Sequence, residues 1–160
     1  MNTKMSRWGI GPKFFLISLA YVVPTLLLTR MLHPFSTIPL LSHRILIASG
    51  IVVVCTGLTF YFFAVPTVMR AYNEGKLVTT GPFSVCRHPV YASWAVFIVP
   101  GIMLMLNCWI GLTYAPVMCL VLKTLAREEE IFLEKTYGDK YRAYKSKISS
   151  ILPLGSLLSK

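Results

Sequence analysis

The 160-residue chain is short of charge, and shorter still of acid. Six Asp and Glu stand against sixteen Lys and Arg, and charged residues make up only 14% of the total. Ordinary soluble domains carry about 25%, so that class is excluded. No two of the four cysteines, Cys55, Cys86, Cys108 and Cys119, form a Cys-x-x-Cys pair. Neither a disulfide framework nor a zinc site is indicated, and no metal is expected. Cys86 reads as a small apolar filler rather than a reactive thiol. The basic residues are not interleaved with aromatics in a stripe, which excludes nucleic acid as the reason for the net charge of +10. Internal repeats and low-complexity segments are also absent.

Apolar sequence fills the space. Hydrophobic residues reach 55% and mean hydropathy is +0.64, the composition of a polytopic membrane protein. The expected fold is all-α and a single domain over 1–160. It has about four transmembrane helices, at residues 13–31, 45–69, 89–106 and 108–125, and a cytoplasmic amphipathic C-terminal helix. Met1 to Pro12 forms a basic leader with Lys4, Arg7 and Trp8, and the first apolar run reads as a retained span rather than a signal peptide. Gly50 and Gly57 permit close helix approach. Pro24 and Pro66 are potential bends. Asn107 leaves room for only a tight turn, so the last two spans form an antiparallel hairpin. The tail helix breaks at Gly138-Asp139, and Leu152-Pro153 ends the regular part.

Basic residues flank the spans unevenly. Three precede or open the first, two surround the first loop (Arg30, Arg44), three lie at Arg70, Lys76 and Arg87, and eight follow from Lys123 onward. The positive-inside rule then places both termini and the 70–88 loop in the cytoplasm.

Two polar pieces stand out against this background. Residues 77–91 read Leu-Val-Thr-Thr-Gly-Pro-Phe-Ser-Val-Cys-Arg-His-Pro-Val-Tyr. Gly81-Pro82 marks a turn. Pro89 suits the first position of a new helix, and His88 before it suits a cap. That helix start, with Arg87 beside it, favours an anion. The second piece is Arg127-Glu128-Glu129-Glu130, and five of the six acidic residues lie between Glu128 and Asp139. Glu130, Leu133, Tyr137, Tyr141 and Tyr144 recur along one face, with Lys135, Lys140, Arg142 and Lys145 on the outer one. Such a basic amphipathic helix suits an anionic membrane surface. One carboxylate of the cluster is expected to meet a cation, either Arg87 or a ligand amine.

In order, the chain carries Gly81-Pro82-Phe83, Arg87-His88-Pro89-Val90-Tyr91, Glu129-Glu130, Tyr137-Gly138-x-x-Tyr141-x-x-Tyr144 and Pro153. This succession resembles the isoprenylcysteine carboxyl methyltransferase and phospholipid methyltransferase superfamily of integral membrane enzymes, over roughly Leu77 to Pro153. The resemblance implies S-adenosylmethionine as methyl donor and a lipid-like or prenylated acceptor, with a cofactor region at 76–91 and 127–153. The implied cofactor contacts fall on Lys76, Leu77, Val78, Phe83, His88, Pro89, Val90, Tyr91 and Glu129, and Arg87 at the helix start joins them. Glu129 would pair with the cofactor amine, and Glu130 lies close by as a catalytic candidate. Phe83 stands where the family usually has tyrosine. The family arginine that meets the substrate carboxylate is absent, since Leu125 occupies the position four before Glu129. Lys123 and Arg127 are the nearby basic candidates for that catalytic role. The competing assignments are an NADPH-dependent membrane reductase of the steroid-reductase type and a non-enzymatic small transporter or assembly factor. The latter would want ionisable residues mid-span, which the second, third and fourth spans lack before Lys123.

Overall fold

A computed structural model describes residues 9–33 and 35–151 of the chain. Lys4, Arg7, Trp8, Pro34, Leu152 and Pro153 lie outside the described residues. Helix α1 spans Gly11–Met31, α2 His43–Glu74, and α3 Pro89–Met105. A helical turn at Trp109–Leu112 leads into α4, Tyr114–Tyr137, and α5 covers Asp139–Lys147. A single 3-10 turn, Gly81–Ser84, interrupts the loop before α3. Strands are absent among the described residues.

Among the described residues three stretches are long and apolar enough to cross a membrane: Gly11–Met31, His43–Glu74 and Trp109–Tyr137. The third expected span is shorter, since Pro89–Met105 has the length class of 10–17 residues. At 1.5 Å per residue it reaches roughly 25 Å, less than a hydrocarbon core of about 30 Å. Within it Ser93–Ile98 takes π-helical turns. Pro100 follows directly, and a widened turn ahead of it accommodates a ring that an α-turn would press against the carbonyl four residues back.

Helix α2 also departs from expectation. It runs through Pro66 and ends at Glu74, five residues beyond the predicted limit. Gly75 stops it with φ 63, and the Lys76 N–H donates to the Ala71 carbonyl at 3.0 Å while the Gly75 N–H donates to Tyr72 at 3.3 Å. This is a Schellman ending, which needs a left-handed residue that glycine supplies. The Asn107 turn is tight as expected, with φ 53. Its Oδ1 accepts from the Ile38 N–H at 2.8 Å, so the side chain also fastens the first loop.

The core forms where small residues let helices meet. A Cβ on Gly57 would lie 2.6 Å from Phe97 Cβ and 3.2 Å from the Ile98 amide. A Cβ on Gly101 would lie 3.0 Å from the Gly50 carbonyl. Backbones of α2 and α3 therefore touch, as the glycines suggested. Tyr114, Met118, Leu122, Ala126 and Glu130 repeat every four residues on α4, and all are buried. That stripe starts beside Ser18 of α1 and ends in a carboxylate. Cys86 is buried in the same core, and burial pushes its thiol up to about 11.

Replacing Gly57 by Leu is expected to lower stability by about 1–3 kcal/mol through overpacking, measured by thermal unfolding in detergent. Thr56→Val, on the exposed side of the same turn, is expected to leave the transition unchanged. The Cys86 thiol is expected to resist a water-soluble maleimide at pH 7.5 in the folded protein and to react once the protein is unfolded in dodecyl sulfate. Rapid labelling of the native chain at Cys86, read by peptide mass, would contradict its burial.

Candidate active site

The corner before α3 is built by proline and pinned by the tail. His88 has φ −124 and caps a helix whose first residue is Pro89. The first α3 hydrogen bond is Ala92 N–H to His88 C=O, at 2.9 Å. The amides of Val90 and Tyr91 therefore point out of the helix start without helical acceptors. Upstream, the Arg87 N–H donates to Ser149 C=O at 2.9 Å and the His88 N–H to Ser150 C=O at 3.1 Å. The amides of Arg87 and His88 are thus already taken by the segment after α5. Tyr144 adds a third tie, donating its hydroxyl to the Phe83 carbonyl at 2.6 Å. Burial pushes that phenol up to about 12, so it remains a donor across the physiological range.

Glu130 collects the cations. Its Oε1 accepts from Arg87 Nε at 3.0 Å and Nη2 at 2.7 Å, and stands 3.4 Å from His88 Nε2. Its Oε2 lies 3.1 Å from Lys145 Nζ. Arg87 and Glu130 side chains are only 12% and 11% exposed. The remaining Arg87 nitrogen, Nη1, donates to the carbonyls of Lys145 and Ile148 at 3.0 and 2.6 Å. Arg87 is thereby fully engaged by protein.

Glu129 sits one residue back, turned by about 100° on α4. Its side chain is 11% exposed. Oε1 accepts from the Ile10 N–H at 2.8 Å and the Tyr91 O–H at 3.2 Å. Oε2 stands 3.6 Å from His88 Nδ1. The His88 ring, buried to 5% exposure, thus lies between the two carboxylates, each nitrogen facing one of them.

The structure brings Arg87, His88, Pro89, Tyr91, Glu129 and Glu130 into one corner. Val90 flanks it at the helix start, half-buried. Phe83 is buried under Tyr144, and Leu77 and Val78 are half-buried in the loop leading to it. Lys76 is exposed and pairs with Glu74 at 2.9 Å. Lys123 and Arg127 are exposed on α4 beside its buried stripe, and no described contact joins them to Glu129. Lys145, expected on the outer face of the tail helix, instead turns inward to Glu130, because it stands one turn on from buried Tyr141 along α5. Sequence reasoning missed two further contributors. The Ser149–Ser150 carbonyls carry no side-chain signal. The Gly9-Ile10 turn shows only as a glycine ahead of an apolar run.

Comparison with known proteins gives a consistent picture. Residues 43–140 match the phospholipid methyltransferase family. Protein-S-isoprenylcysteine O-methyltransferase of Mus musculus is 32% identical over 77 residues, 48% of this chain and 27% of that protein. The Homo sapiens protein of the same name is 31% identical over the same length. A probable protein-S-isoprenylcysteine O-methyltransferase of Oryza sativa subsp. indica is 26% identical over 113 residues, 65% of this chain and 59% of that one. The matched region thus spans about a quarter of the mammalian relatives, 27% of their length. No solved structure matches the chain significantly. Because the family match covers well over half the chain and takes in both the Arg87–Tyr91 corner and the Glu129–Glu130 pair, the chain belongs to the phospholipid methyltransferase family.

Proposed function

We propose that this protein transfers a methyl group from S-adenosylmethionine to a lipid-like acceptor at the membrane, in the manner of an isoprenylcysteine carboxyl O-methyltransferase. The observation that carries the proposal is the Glu129 carboxylate. It is nearly buried, stands at the end of a membrane-length helix, and faces a helix start rather than bulk water.

The residues fit the donor. S-adenosylmethionine carries an ammonium, a carboxylate and a sulfonium. Glu129 offers a shielded anion for the ammonium, where a charge-assisted hydrogen bond is strong. The outward amides of Val90 and Tyr91 suit the carboxylate. The ring of Tyr91 suits a cation or the adenine. When bound, the cofactor supplies an electrophilic methyl group, and no metal is required. The chain's own work is alignment and exclusion of water, and a near-attack geometry is worth about 7–11 kcal/mol. Arg87 and Glu130 serve by fixing the corner, since protein groups consume their hydrogen bonds. Lys123 and Arg127 remain available on the exposed side of α4 to meet an acidic acceptor. A carboxylate acceptor needs no general base. The acceptor enters laterally between helices and the cofactor from the cytoplasmic side, as the distribution of Lys and Arg implies.

Substituting Glu129 with Gln is expected to weaken S-adenosylmethionine binding at least about tenfold, or 1.4 kcal/mol, by calorimetry in detergent. Unchanged affinity would remove Glu129 from the site, and preferential binding of NADPH would favour the reductase instead. Arg87→Leu is expected to cost about 1–3 kcal/mol of stability, because it removes the two-pronged partner of a nearly buried carboxylate and leaves it Lys145 and His88. A thermal melt that shifts little would show that Glu130 is satisfied without Arg87. Product analysis after incubation with labelled cofactor and a lipid extract identifies the acceptor.

A further inference from the structure

The Glu129 carboxylate is gripped through one oxygen. Oε1 accepts two hydrogen bonds, from Ile10 N–H and Tyr91 O–H. Oε2 lies 3.6 Å from His88 Nδ1, beyond hydrogen-bond length, and accepts none among the described residues. Ile10 belongs to the turn before α1, outside the family-matched segment 43–140.

That turn is firmly seated. Ile10 and Phe14 are 3% and 5% exposed. The Phe14 ring lies 5.4 Å from the Tyr91 ring, and Lys13 Nζ reaches Glu128 Oε2 at 3.1 Å. Gly9 takes φ 50, and a Cβ on it would land on Glu129 Oε1. The backbone angle favours glycine, and any side chain there would displace the Glu129 carboxylate. The positive end of the α1 dipole therefore rests against the carboxylate.

Resting on the methyl-donor assignment above, we infer that the backbone N–H of Ile10 is a positioning group for the cofactor site. With the Tyr91 hydroxyl it saturates Oε1, fixes the carboxylate plane, and leaves Oε2 as the acceptor for the donor's ammonium. The N-terminal turn thus completes a site whose other parts lie between Lys76 and Ile151. Tyr91 acts here through its hydroxyl on Glu129.

A proline at position 10 removes the donor while tolerating the local φ of −82. The test compares Ile10→Pro with Ile10→Ala, both lacking the isoleucine side chain, in the full chain in detergent with S-adenosylmethionine as titrant. The proline variant is expected to bind about tenfold more weakly than the alanine variant, given the strength of a hydrogen bond to a charged group. Their KM values for the acceptor should agree. Placed on Glu129→Gln, the two substitutions should bind alike. Equal affinities for the folded variants, or a difference that persists on Glu129→Gln, would overturn the inference. Should Ile10→Pro fail to fold, replacing Ile10 by its α-hydroxy acid analogue, which turns the donor amide into an ester and keeps the side chain, carries the same test against wild type: the affinity loss must require Glu129. A wild-type chain that binds no S-adenosylmethionine defeats the donor assignment and the inference with it. A wild-type chain that binds while the paired variants do not differ defeats the inference alone.

Discussion

The Arg87–Glu130 pair is the joint on which the polar end of the molecule turns. One guanidinium reaches a carboxylate on α4 and two carbonyls at the end of α5, while its own amide is held by Ser149. Three segments far apart in sequence are closed by that single side chain. Lysine could not do this, because it lacks a planar fork of five donors. A pair buried this deeply gains little net stability over an apolar replacement. Its value is that it admits one arrangement of the loop, α4 and the tail.

Adjacent carboxylates divide the labour. Glu129 and Glu130 are neighbours in sequence but project about 100° apart on the helix. Glu130 turns to the loop and the tail, meets Arg87 and Lys145, and is consumed by them. Glu129 turns to α1 and α3 and meets an amide and a phenol, with no lysine or arginine in reach among the described groups. A shielded carboxylate with no cationic side chain of its own is suited to a cationic ligand. His88 stands between the two and keeps their environments distinct.

Much of this was legible in sequence because chemistry with strong local rules lies behind it. Proline at 89 fixed a helix start, Gly138 fixed a break, Asn107 fixed a turn, and Gly50 and Gly57 marked the close contact of α2 with α3. The motif resemblance singled out Glu129. What stayed hidden depended on tertiary direction. The inward turn of Lys145 was missed because its charge grouped it with the outer face, although it follows buried Tyr141 by one helical turn. The end of α2 was missed because the apolar run gives out after Met69, whereas the helix itself continues through the polar residues Arg70 to Glu74. The strap at Ser149–Ser150 and the Ile10 donor act through backbone atoms, and backbone atoms are the same whatever the side chain.

The two ends of the helical bundle also differ in kind. At the Asn107 end the part-buried hydrogen bonds join neutral groups: Ser36 Oγ donates to the Thr29 carbonyl, the Thr29 hydroxyl and Cys108 Sγ pair with each other, and the Ile38 amide donates to Asn107 Oδ1. At the His88 end neutral bonds are joined by ionic ones, Arg87 and Lys145 to Glu130. Neutral pairs suffice to close a fold, and burying charge costs far more than burying an amide or hydroxyl. The expense is therefore concentrated where α4 delivers its buried stripe into Glu130 and sets Glu129 beside the start of α3. A chain that needed only to span the bilayer could have closed that end as cheaply as the other. Charge is gathered there, and among the described residues Glu129 meets no lysine or arginine, only the His88 ring, an amide and a phenol.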